Sequence, residues 1–325
     1  MRILVMIGLL WIICSGTGTL SIAAEKTVGP PDGKPVEAPS EQPPELAEGL
    51  LRRRLETRLH GSTPEEQARL NAERQRLSGQ AASFGVDPTA IVGFYQLLYG
   101  HNAFTNNLRS DSAAPTVRLP ITPNWLFQVT MPYVWADLNQ SNAFPLRGAG
   151  DMTTRTGGRV FANEYVAVFV GFDALFPTAS EKQLGTGKYT LGPGGALAVP
   201  LPRMRSQFNL VAQDYNSVGG DPSRADLHFT QIRPAINTFW TERFLTGAVM
   251  TWDIDWEHRR KTTMNLVGEV GYRFDNHWVL FAGPGVGVVG RDTFLGLDWT
   301  VQAGVRWMFK TPLFAERVFD RYPRE

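Results

Sequence analysis

Gly285, Gly287 and Gly290 stand in the GxGxxG spacing that cradles a dinucleotide pyrophosphate. That chemistry needs a helix opening from the last glycine, so that its N-terminal amides meet the phosphate. Arg291-Asp292-Thr293 follow with no helical period, so the glycines read as a strand whose small residues face inward. Gly187-Lys188 resembles a phosphate loop, but Tyr189 stands where a hydroxyl residue must hold magnesium, and no glycine precedes at the required distance. His101, His228, His258 and His277 show no HxxxH or similar ligand spacing, and they fall on different segments, too dispersed for a nucleophile–base pair. The single cysteine, Cys14, lies in an apolar leader expected to be removed, which excludes disulfides, thiolate metal sites and cysteine nucleophiles. No cofactor, no metal and no enzymatic activity is expected. With a net charge of +1 the chain carries no field directed at nucleic acid.

What remains is a set of charged and amide side chains with a shared facing. Arg155, Arg159, Asp173, Gln231, Arg233, Asp253, Asp255, Glu269, Arg273, Gln302 and Arg306 all occupy the polar phase of segments that alternate polar and apolar residues. Two readings of that face stay open. The charges pair with one another and fill an interior, or they form a constriction that selects solutes by charge.

The elements that position them follow from the same period of two. Trp125, Phe127, Val129, Met131, Tyr133 and Trp135 alternate with Leu126, Gln128, Thr130, Pro132 and Val134. Segments 243–256, 262–274 and 298–309 repeat the pattern, with one face apolar and the other carrying charges and glycines. Roughly ten residues per segment is long for a soluble strand and matches one tilted through an apolar band about 25 Å tall. Aromatic residues cap these apolar faces, and Trp125, Trp135, Trp252, Trp256, Trp278, Trp299 and Trp307 are the expected membrane girdles. About twelve strands are expected between 91 and 309, joined alternately by short turns and longer loops. No apolar run after the leader is long enough for a spanning helix, which leaves a closed barrel as the way to satisfy the backbone in lipid.

The expected organisation is a signal peptide over 1–24, a Pro-rich linker over 25–45, a helical periplasmic extension over 46–85, a β-barrel over 90–309 and a periplasmic tail over 310–325. Arg2, the apolar run Ile3–Ile13 and the small residues ending at Ala23-Ala24 carry the first of these. Thr63-Pro64-Glu65-Glu66 is a capping box with proline at the first helical position, opening a polar helix to about Ala82. That extension reads as a spacer, with a plug or a partner-binding helix as the alternative.

Several stretches resemble the outer-membrane proteins of the phenol meta-pathway family: Val117–Val134, Gly148–Asp151, Phe176-Pro177-Thr178, Leu184–Lys188 followed by Gly192-Pro193-Gly194, Gln231–Pro234 and the last strand. The resemblance covers about 110–309 and leaves the helical extension and the tail unexplained. It implies an all-β transmembrane barrel in the cell outer membrane that passes small, often apolar or aromatic, compounds. The expected function is a channel or transporter for such a solute; the alternative is a non-transporting barrel that anchors a periplasmic partner through 46–85. Expected partners are outer-membrane lipid, the barrel-insertion machinery and the solute.

Overall fold

The computed structural model describes residues 63–105, 108–137, 146–257, 261–291 and 296–309. The proposed signal peptide, linker and tail, residues 46–62 of the extension, and His258 lie outside these residues. The chain divides into two compact units, whose described parts are 63–73 and 74–309.

In the first unit Thr63 begins the helix α1 (Pro64–Phe84) as its cap, accepting a hydrogen bond from the Glu66 amide at 3.2 Å. This satisfies one of the amides a helix start leaves without an intrahelical partner. In the second unit the end of α1 leads into fourteen strand segments: β1 (Gly93–Ala103), β2 (Arg109–Thr122), β3 (Trp125–Thr130), β4 (Tyr133–Asp137), β5 (Leu146–Ala149), β6 (Met152–Ala162), β7 (Ala167–Phe176), β8 (Lys188–Leu201), β9 (Ser206–Gly220), β10 (His228–Phe239), β11 (Phe244–Asp255), β12 (Lys261–Arg273), β13 (Trp278–Val289) and β14 (Trp299–Phe309). β2 pairs with β3 along one part of its length and with β4 along the other, and β3 and β4 pair in turn with β6 and β5. The segments therefore make a 12-strand barrel, in which β3–β4 and β5–β6 are each one interrupted strand. β1 closes it by pairing antiparallel with both β14 and β2.

The interruptions have a local cause. Pro132 has no amide to give the ladder, and the chain breaks there. On the adjoining strand the break falls at Gly150-Asp151, and the Gly150 amide donates to the Pro132 carbonyl at 2.9 Å, so the two irregular points support each other.

The barrel is polar within and apolar without. Thr116, Thr130, Gln207, Asn209, Gln213, Thr251, Thr263, Asn265 and Gln302 are buried, while Leu97, Tyr99, Val170, Phe172, Leu191, Val270, Leu280 and Val301 face outward and exposed. Water as the only solvent would favour the opposite sorting, so the outer surface is built for lipid. Trp125, Trp135, Trp256, Trp278 and Trp299 stand exposed on that surface, Trp252 and Trp307 are partly covered there, and Trp240 joins them from a turn. No described helix is long and apolar enough to cross a membrane, which bears only on helices.

Connections 123–124, 163–166, 202–205, 240–243 and 274–277 are short, and the start of β1 and the end of β14 lie at the same end. That end is the periplasmic one by the usual construction of such barrels.

Candidate functional site

The lumen is filled at its short-turn end by the chain that precedes β1. Leu77, Ala81, Ala82 and Phe84 of α1, with Ala90 and Val92, are buried against Phe239, Leu245, Val279 and Met308, the inward residues at the short-turn ends of β10, β11, β13 and β14. Ile91 is buried on the other side of the lumen with Leu126, Phe169 and Ala196. Residues 77–92 thus touch the wall around most of its circumference. For this stretch the spacer reading of the extension does not hold. Leu77, Ala81 and Phe84 stand at helical spacing, but the helix around them is mostly polar, and they become buried only because the barrel surrounds them.

Specific polar contacts pin the plug. The helix ends in a left-handed Gly85 (φ +68°), with Gly85 N bonding the Ala82 carbonyl and Val86 N the Ala81 carbonyl. This is the glycine-terminated closure common at helix C-termini. Arg306 of β14 donates through Nη1 to the Phe84 carbonyl and through Nε and Nη2 to Gln96 Oε1, while Asn209 Nδ2 donates to the Val86 carbonyl at 3.1 Å. Arg273 lies 5.7 Å over the Phe84 ring. Beyond the cap, Asp87 turns on itself, accepting from the Thr89 amide at 2.8 Å and the Thr89 hydroxyl at 2.7 Å. Burial raises the Asp87 carboxyl above its usual range, partly offset by these bonds and by the charge of Arg159.

Between plug and wall lies a cavity of about 170 Å³, bounded by Gly85–Pro88 on one side and by Phe94, Arg118, Arg155, Arg233, Glu269, Phe281 and Arg306 among others on the other. Arg155 and Asp173 form a two-point ion pair, Nε to Oδ1 at 2.7 Å and Nη2 to Oδ2 at 2.8 Å. The Tyr215 hydroxyl donates to Asp173 at 2.8 Å, and Gln213 accepts from Arg155 and, at 3.4 Å, from Arg233. Arg118 donates to Gln128 at 2.8 Å and lies 4.5 Å over Phe94.

The expected lumen residues separate by height. Arg155, Asp173 and Arg233 meet at mid-barrel around Gln213. Arg273, Arg306 and Glu269 lie toward the plug, and Arg159 is placed within electrostatic reach of Asp87. Toward the loop end, Asp253 accepts from Gln231 at 2.8 Å and Thr263 at 3.4 Å, and Asp255 accepts from the Glu257 amide. Gln302 is buried and lines the cavity. The eleven therefore share one interior but not one site. Arg118, Gln96, Gln213, Tyr215 and Asp87 complete the arrangement and were not singled out from the sequence. Arg118 was findable: it alternates with Val117 and Leu119 on β2 as the others do on their strands.

At the loop end Asp151 is buried and accepts from the Thr186 amide and hydroxyl and from the Ala179 amide, drawing 179–186 inward. Leu184 is buried there with Val134 and Ala136. Of the GxGxxG glycines, Gly285 and Gly287 lie on β13 facing the lumen and Gly290 follows its end at φ +66°; a Cβ on Gly287 would fall 1.7 Å from the Leu297 carbonyl oxygen. Gly187 (φ +72°) turns the chain into β8, and Lys188 bonds Asp226 at 2.7 Å. Among the described residues no group of three potential metal ligands occurs.

No protein-family model matches the chain, and no curated protein matches it. Solved structures do. The COG4313 outer membrane channel from Pseudomonas putida F1 is similar at TM-score 0.53 and 12% identity, over 69% of this chain and 98% of that one. The NanC porin in a rhombohedral crystal form is similar at TM-score 0.50 and 10% identity, over 66% of this chain and 100% of that one. The fold is that of an outer-membrane β-barrel. For such a barrel the apolar belt and tryptophans face lipid, and the short turns put the plugged mouth on the periplasmic side.

Proposed function

We propose that this outer-membrane barrel is a channel for a small solute, closed at rest by its own residues 74–92. The observation that carries the reading is the cavity of about 170 Å³ between plug and wall, lined by charged and amide side chains inside an apolar shell. A barrel needing only to be stable could fill that space with packed side chains. Passage then requires the plug to shift, which breaks the polar attachments at the Phe84 and Val86 carbonyls and the apolar contacts of residues 77–92 with the wall.

An apolar or aromatic cargo, which the family resemblance suggests, finds Phe94 and Phe281 in the chamber, but the guanidinium groups around them favour a solute that also carries polar atoms. We read the barrel as non-enzymatic: His101 pairs with Asp111 at 2.9 Å, and His228 approaches Asp214 at 3.5 Å near the loop end, neither on the chamber.

The alternative, a non-transporting anchor for a periplasmic partner, is favoured by the same buried docking of α1, which fixes the extension to the membrane. Planar-bilayer recording of the full chain and of Arg306→Gln separates the two. A channel gives step currents that become more frequent in the variant. Silence in both, from correctly folded protein, supports the anchor.

A further inference from the structure

Arg118, Arg155, Arg233 and Arg306 all line the chamber. Four guanidinium groups around one small space repel one another unless anions intervene. Arg155 has its anion in Asp173. Arg306 is occupied by Gln96 and the Phe84 carbonyl.

Arg118 and Arg233 are different. They are 8% and 7% exposed, yet Arg118 Nη1 and Arg233 Nε each donate no hydrogen bond within the described protein. A guanidinium offers five donors in a planar fork suited to a carboxylate, and a buried donor left without an acceptor is costly. The two arginines that carry these donors line one cavity, which marks a place where an acceptor is received. The plug itself presents a carboxylate to this chamber: Asp87 lines it and lies within Coulombic range of Arg118. Phe94 and Phe281 supply apolar faces between the charges.

We propose that the chamber is a binding site for a small organic carboxylate, with Arg118 and Arg233 as the receiving groups and Phe94 and Phe281 flanking the carbon skeleton. This rests on the channel reading and names the class of its solute. A cation meets like charge on several sides, and a neutral solute leaves both buried donors without an anion.

The test is calorimetric titration of the full chain, folded in detergent micelles, with benzoate and with benzamide as its neutral counterpart. Benzoate should bind saturably and at least about tenfold more tightly, the scale of one charge-assisted bond. Arg118→Gln and Arg233→Gln should each weaken benzoate by about the same factor, while Arg118→Lys, which keeps the charge, recovers part of the loss. Heat-modifiable electrophoresis reports folding of each variant. If the glutamine variants fail to fold, the wild-type affinity for benzoate must still fall as sodium chloride rises. Equal affinity for benzamide, no saturable benzoate binding, unchanged affinity in both folded glutamine variants, or a salt-independent affinity overturns the proposal. Binding is read without current: a barrel that binds benzoate but never conducts overturns the channel reading alone, and a conducting barrel blind to benzoate overturns this one alone.

Discussion

The guanidinium of Arg306, on the last strand of the barrel, donates to the carbonyl of Phe84, the last residue of the helix that precedes the first strand. Residues at opposite ends of the folded chain thereby fix whether the periplasmic mouth is filled. The helix's last carbonyls have no intrahelical donor, so the contact satisfies a group the helix cannot satisfy itself.

Replacing that donor should loosen the plug while the barrel wall stays intact. Arg306→Gln removes a charged donor worth roughly 1.5–3 kcal/mol to a neutral acceptor. Amide hydrogen exchange over 81–92 should accelerate, with β-strand amides unchanged. Equal protection in variant and wild type would mean that apolar packing alone holds the plug.

Gly85→Val attacks the same junction through the backbone. At φ +68° a β-branched residue is strained, and a Cβ there meets Arg306 Cδ at 2.8 Å. The cost should be about 1–3 kcal/mol, confined to the plug. Protease cleavage near 85 in the folded barrel should rise in the variant, and resistance equal to wild type would contradict the tight approach.

Asp87 makes docking depend on pH. Burial raises its folded pKa above the unfolded value, while Thr89, Gln207, Arg159 and Arg118 offset part of that cost. Its contribution is fully favourable below the ordinary carboxylate range and is lost as pH rises through the raised folded value. Plug protection, measured by exchange at several pH values and corrected for intrinsic rate, should decline over that interval in wild type and stay level in Asp87→Asn. A decline of the same size in the variant would assign the effect to another group.

Leu97 tests the facing of the wall. It is 49% exposed on β1, between Gln96 and Leu98, which line the chamber. Leu97→Arg places a charge near the middle of the lipid band and should cost roughly 2–4 kcal/mol. Urea titration in lipid vesicles measures this; a loss under about 0.5 kcal/mol would put Leu97 outside the band.

Much of this architecture was legible in the sequence because a barrel wall is a local code. Alternation along single strands gave the lumen facing of Asp173, Arg233 and Asp253, and a capping box gave the start of α1. The plug was not legible. Leu77, Ala81 and Phe84 lie on a helix that is mostly polar, and nothing in local periodicity reports that a barrel closes around it. Nor was the division of labour among the charges: Asp253 is tied to Gln231 and Thr263 within the wall, whereas Arg118 opens on the chamber, a distinction made by partners on other strands. The break at Pro132 was not read either, because the alternation runs through it, and its support from Gly150 comes from the neighbouring strand.

The central claim, a solute passage closed by residues 74–92, is tested most directly by locking the plug. Cys14 lies in the predicted leader, so introduced thiols should be the mature protein's only ones. Asn209 bonds the Val86 carbonyl at 3.1 Å, so the two positions are neighbours across the plug–wall contact, and Val86→Cys with Asn209→Cys is the pair to cross-link. The account predicts that the oxidised double variant, its cross-link confirmed by mass, is electrically silent in a planar bilayer, and that reductant added to the same membrane brings step currents. Equal currents before and after reduction, or silence in both states, would contradict it.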